Sequence, residues 1–228
     1  MILRQLAKPF VKLIKYTLFV VTFLVASLSF AAGRDASKAN ETLLRATSPF
    51  EDIVEVALAK NEAKISKLLA TADGHATAIR EALPPPATAQ FDSLLQAIHK
   101  AANGKDHFAV AMSAVEVFRL LIDNLEAGGL KVPKEVSLLD YAGFKLHVLA
   151  AAPQPDWGAM RKTVDDAVAW WTTIKVKVSD KALRDSLNST VRGLQQAGKT
   201  ENLPMLHFAA QIDLDLVDLL ENYFEQQK

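Results

Sequence analysis

The 228-residue sequence contains no cysteine. That absence excludes disulfides, thiolate catalysis, zinc–thiolate sites, iron–sulfur clusters and the CxxCH attachment of c-type haem. Packing alone must hold the fold. An excess of either charge is also missing, since 26 Lys and Arg balance 26 Asp and Glu. No basic run occurs beyond residue 31, which argues against nucleic acid or anionic lipid as a partner. No segment alternates apolar and polar residues over strand length, apart from Lys175-Val176-Lys177-Val178, and a helical stripe runs through that stretch. HExxH, ExxH, GxSxG, a phosphate-binding loop and GxGxxG are all absent. No acid–base or nucleophile set stands out, so an enzyme is not expected. The lack of ExxH weighs against a di-iron carboxylate bundle.

What is present begins with a leader. Arg4, Lys8, Lys12 and Lys15 form a basic region free of acids, and residues 17–30 (TLFVVTFLVASLSF) follow without charge. Ser29 and Ala31 place small residues where a signal peptidase reads. The apolar run of 14 residues is shorter than the ~18–20 that span a bilayer. The expectation is a signal peptide over 1–31, cleaved after Ala31, with an uncleaved anchor as the alternative. Its removal leaves 197 residues carrying 22 basic and 26 acidic groups. That is one domain's worth of chain. Export without cysteine suggests a bacterial periplasm.

Residues 32–47 are polar and weakly patterned, and read as a flexible tether. Helical spacing then dominates residues 48–228. Ser48-Pro49-Phe50-Glu51 reads as a capping box, with Ser48 at the N-cap. One helix is expected from there to Leu83, its stripe being Val54, Leu58, Ile65, Leu68, Ala72, His75, Ile79 and Leu83. Pro84-Pro85-Pro86 ends it. Further helices fit residues 87–102 and 105–126, and one from Pro133 to about Pro153. A fifth starts near Asp156 and breaks near Ser179-Asp180. The last, about Glu201 to Gln227, is expected to turn Met205, Ala209, Ile212, Leu216, Leu219 and Tyr223 inward. Asp213, Asp215, Asp218 and Glu221 then decorate this helix, and Asp215, Asp218 and Asn222 share its solvated polar face. The fold class is all-α, an antiparallel up-and-down bundle of four long arms in five to six helices. Core positions of large effect are Ile65, Val115, Phe118, Leu146, Trp171 and Leu216.

Candidate site residues are histidines, methionines and one tryptophan. His75 lies on the expected stripe, where a polar ring needs a partner or a ligand. His147, Gly143 and Asp140 share a helix face, and Gly143 would leave room for tight helix packing or for a flat ligand. His207 falls beside its stripe, while Met112 and Met205 fall on core faces. His75, His147, His207, Met112 and Met205 are the donors from which a haem or metal site could be drawn. Trp170 flanks Trp171 and could anchor a partner.

The leader, chain length and helix pattern broadly resemble the cytochrome b562 and cytochrome c′ class of periplasmic bundles. The resemblance implies a bundle-core carrier, although the CxxCH of cytochrome c′ is absent and no Met…His pairing can be matched. The main functional expectation is an exported, non-catalytic interaction or structural module, binding a protein or a small ligand in the periplasm. A haem- or metal-binding carrier is the alternative.

Overall fold

A computed structural model describes residues 36–227; the expected signal peptide and residues 32–35 lie outside that range. The described residues form nine α-helices and one 3-10 turn, with no strand. The all-α bundle class holds, with more helices than the five to six expected.

The added helices have physical causes. Residues 36–45, expected to be tether, form α1 (Ala36–Arg45), with Asn40 and Leu43 buried. Asn40 pins the helix, donating to the Glu126 carbonyl at 2.8 Å and accepting from the Glu126 amide at 2.9 Å. The long helix expected from residue 48 is two, α2 (Ser48–Leu58) and α3 (Glu62–Ala82). Lys60 sits between them in the left-handed region, with φ 55°. Asn61 restarts the chain, its side chain accepting from the Lys64 amide at 3.1 Å. No glycine or proline marks this break, so periodicity alone runs through it. Ser48 is the first helical residue and Thr47 takes the cap position without a side-chain cap bond, so the expected capping box does not form.

The remaining elements are α4 (Pro85–Asn103), α5 (His107–Asp123), α6 (Lys134–Ala150), α7 (Trp157–Ile174), α8 (Lys181–Thr200) and α9 (Leu203–Gln226). Helices α5, α7, α8 and α9 each start as α3 does. Asp106, Asp156, Asp180 and Asn202 accept from the amide three residues on, satisfying a donor that the helix leaves orphaned. The break expected near Ser179-Asp180 is present, as a 3-10 turn at Lys175–Lys177 followed by the Asp180 cap.

Helix α5 lies in the interior, packed on α2, α4 and α6. Nine of its residues are buried, including Val110, Val115, Phe118 and Leu121. Helix α6 joins the two halves, packing on α5 on one side and on α7 and α9 on the other. Where α6 meets α9 the helices approach closely at Gly143. A Cβ there would stand 2.5 Å from Leu214 Cδ2, so the space beside Gly143 holds Leu214 and no flat ligand.

Two stripes differ from expectation. On α3 the buried column is Ile65, Leu69, Ala72, Ala76 and Ile79, which leaves His75 and Leu68 at its flank, half-buried. On α9 the buried column is Leu206, Ala210, Asp213, Val217, Leu220 and Phe224. Met205, Phe208 and Leu219 point outward, at 36%, 67% and 56% exposure. Leu216, expected in the core, is half-buried. The other five expected core positions are buried.

Candidate functional site

The last helix carries an acid where a leucine would be expected. Asp213 is fully buried, and neither carboxyl oxygen has a hydrogen-bond partner. Burial alone pushes its pKa up to about 7, because a low-dielectric surrounding disfavours the charged form. Across the α6–α9 contact stands Asp140, close enough for Asp213 to act on it.

Asp140, half-buried, lines a partly open cavity of about 380 Å³, within the size range of small-ligand pockets. Five carboxylates line it: Glu51 from α2, Asp140 from α6, and Asp218, Glu221 and Glu225 from the end of α9. Lys131 and Lys134 also line it, and its apolar wall comes from Leu44, Phe118, Leu125, Leu130 and Val132. The i, i+3, i+7 spacing of Asp218, Glu221 and Glu225 puts these three acids on one face of α9.

Electrostatics mark the same residues. Burial drives Glu51 up to about 7; a hydrogen bond from Thr47 opposes the rise, and Glu221, Asp52 and Asp218 add to it. Asp140 is raised well above the usual carboxylate range, mainly by burial and then by Glu51, Glu221, Asp213 and Asp218. Glu221 is raised by burial and by Asp218 and Glu225. A group of carboxyls that raise one another's pKa inside a cavity is the pattern of a functional site.

Of the residues singled out from the sequence, two meet. The rings of His147 and His207 pack edge to face with centroids 4.4 Å apart. Nε2 of His147 is buried without a partner. Burial first, and His207 second, lower the pKa of His147 to about 4. The other candidates lie apart from this pair. Met112 Sδ accepts from Lys145 Nζ at 2.9 Å. Met205 is in the exposed first turn of α9. His75 is half-buried beside Asp73, whose carboxylate is taken by His99 at 2.9 Å. Among the described residues no group of three or more His, Cys, Asp or Glu is arranged to hold a metal ion. Trp170 is half-buried, with the Arg119 guanidinium over its ring at 4.8 Å and Tyr141 against its edge at 6.3 Å.

Sequence reasoning placed Asp140 on the correct face with Gly143 and His147, yet passed over it as a site. It assigned Glu51 to a cap and counted Asp213 among the acids decorating the last helix. The available signal was the alternative α9 stripe, which has the same spacing and contains Asp213. Comparison with known proteins gives no match to a family model, a curated protein or a solved structure.

Proposed function

We propose that this chain is an exported, non-catalytic binding module of the periplasm, working by recognition of a small ligand in the acidic cavity. One observation carries the reading: carboxylates from α2, α6 and α9, among them Glu51, Asp140 and Glu221, line one partly open cavity of about 380 Å³ together with an apolar wall. A ligand seated there would relieve the mutual repulsion that raises Glu51, Asp140 and Glu221. The leader supports export. The test is native mass spectrometry of the protein isolated from the periplasmic fraction. The expected result is a mature chain starting at Ala32 with a bound small molecule, absent from Asp140→Asn. A bound molecule retained equally by Asp140→Asn, or a chain that carries and takes up none, refutes the binding reading.

The carrier reading has one observation of its own, the contact between His147 and His207. Two imidazoles in contact, one with an unpartnered nitrogen, supply two of the donors a transition metal would need. Metal content and the absorption spectrum of the native protein decide between the readings. A stoichiometric metal or a Soret band lost on His147→Ala would favour the carrier.

A further inference from the structure

We propose that the outer face of the α8–α9 hairpin is a homodimer interface, on which the same face of a second copy of this chain packs to close a four-helix bundle. The proposal is independent of the acidic cavity, so either can fail alone. It starts from the sequence of α9. Met205, Phe208, Ile212, Leu216, Leu219 and Tyr223 recur at helical spacing without an acid among them, yet the column turned to the core is the one that holds Asp213. Met205, Phe208 and Leu219 are exposed, and Ile212, Leu216 and Tyr223 are half-buried. Apolar residues scattered singly on a surface are ordinary, but a stripe along a whole helix marks an interaction surface. Two contacts place this stripe on the seam with α8. Ala209, in the same column, lies where a Cβ added to Gly193 would stand 3.6 Å from its own. At the other end the Tyr223 hydroxyl accepts from the Ser179 amide at 2.7 Å, one residue before the Asp180 cap of α8. Gly193 is half-exposed, and Ser186 and Ser189 are exposed. The α8 side of the seam is therefore low, and a further helix can lie along it.

Charge selects a second copy as the occupant. Beyond the stripe, on the side of α9 away from α8, stand Asp215 and Asp218, both exposed. On the outer face of α8 stand Arg192 and Lys199, both exposed and two turns apart. None of these four belongs to an ion pair among the described residues. The face thus has an acidic edge, an apolar middle and a basic edge. A second copy related by a two-fold axis parallel to the helices sets its basic edge against the first copy's acidic edge, and the reverse. Each α9 then lies antiparallel to the α8 of the other copy, as neighbouring helices do in an up-and-down bundle. An anionic lipid surface would cover the stripe but meet Asp215 and Asp218 as like charge. Area sets the strength. The stripe from residue 205 to residue 223 is about 27 Å long at 1.5 Å per residue, and two helices side by side are about 20 Å wide. The footprint is about 500 Å² per copy and about 1,000 Å² in all, the low end for a specific complex. The dimer is reversible, and dilute protein is monomeric.

Sedimentation velocity on the chain from residue 32 onward, at concentrations from about 1 to about 500 µM, tests the proposal. The expected result is a concentration-dependent passage from monomer to dimer. Phe208→Glu should weaken the dimer by about tenfold or more. Thr71→Glu, which adds the same charge at an exposed position of α3, should leave it unchanged. Asp215→Arg and Arg192→Asp should each weaken the dimer, and the two together should recover most of the loss, because the edges have exchanged sign. Circular dichroism verifies that Phe208→Glu is folded, and Leu219→Glu repeats the test if it is not. A monomer at every concentration overturns the proposal, as does a dimer left intact by Phe208→Glu. Equal weakening by Phe208→Glu and Thr71→Glu overturns it too. A double charge exchange that recovers nothing overturns the two-fold pairing of the edges. A monomer that cosediments with vesicles of phosphatidylglycerol and phosphatidylethanolamine, and ceases to on Phe208→Glu, would assign the stripe to a lipid surface and overturn the dimer.

Discussion

Asp213→Asn isolates the electrostatic cost of a buried acid. The two side chains have nearly the same shape, so packing is unchanged and the difference reports ionisation. Asp213 is fully buried without a hydrogen bond, and its pKa is raised from 3.8 to about 7. The folded state therefore holds a proton that the unfolded chain releases. Below the unfolded value both states are protonated and the residue carries no ionisation cost. As pH rises from about 4 to about 7, folding must retain the proton or bury the charge, and stability falls. Each unit of separation is worth about 1.4 kcal/mol, so the full cost above the folded pKa is about 4 kcal/mol. Asparagine does not titrate. The variant should match the wild type near pH 4 and exceed it by up to about 4 kcal/mol near pH 8. For a chain of this size that is about 10 °C in Tm. Urea unfolding of both proteins across this range measures it, and taking the difference cancels the titration of groups common to both. A stability difference that does not change with pH would refute the reasoning, as would a variant less stable at pH 8.

Other outcomes follow from the packing. Leu220→Ala, at a fully buried position, should cost about 2–5 kcal/mol in chemical denaturation, whereas its exposed neighbour Leu219→Ala should stay within about 0.5 kcal/mol. Gly143→Ala drives a methyl to 2.5 Å from Leu214 Cδ2 and should cost about 1–3 kcal/mol. Leu214→Ala in the same chain should recover part of that loss, which a double-mutant cycle reads. His147, lowered to about 4 by burial and by His207, is neutral in the folded protein where the unfolded chain is protonated. Stability from this residue is therefore lost as pH falls from about 6.5 to about 4. NMR titration should place its folded pKa below that of free histidine, and His207→Leu should raise it.

The legible part of the fold was the part written in helical periodicity and breakers. Pro84-Pro85-Pro86, Gly128-Gly129 and Pro153 to Pro155 separate helices as read. Misplaced features came from two kinds of ambiguity. The first is a break without a breaker. Lys60 adopts φ 55° with no glycine present, and the turn is closed locally by bonds from the Lys60 amide to the Ala57 carbonyl and from the Asn61 amide to the Val56 carbonyl, both 2.9 Å. The second is phase. On α9 the columns 205-209-212-216-219-223 and 206-210-213-217-220-224 are equally regular, and the first contains no acid. Hydropathy therefore chooses the first, while packing against α6 buries the second, with Asp213 in it. On α3 most of the stripe is as read, with Ile65, Ala72, Ile79 and Leu83 buried, but Leu69 and Ala76 replace Leu68 and His75 in it. The cavity was illegible for the same reason. Its acids stand on α2, α6 and α9, each unremarkable on its own helix, and only the fold adds them together. The α1 segment looked like tether because its composition is polar, yet Leu43 and the Asn40–Glu126 pair fasten it.

The central helix bears on how such a chain would cross a membrane if it is exported. Helix α5 is apolar nearly all round because it is enclosed by α2, α4 and α6. A secretory channel, meeting residues 108–122 unfolded, would encounter a segment close to one it releases sideways into lipid. Glu116 and Arg119 interrupt that run, and charged residues within an apolar segment disfavour its insertion. After folding neither charge is stranded. Glu116 is held by Lys145 and Tyr141, while Arg119 pairs with Asp123 at 2.6 Å and lies over Tyr141 and Trp170. In the export reading, these two residues mark the helix for passage through the channel instead of retention in the bilayer, and α6 and α7 supply the contacts that accommodate them once translocation is over.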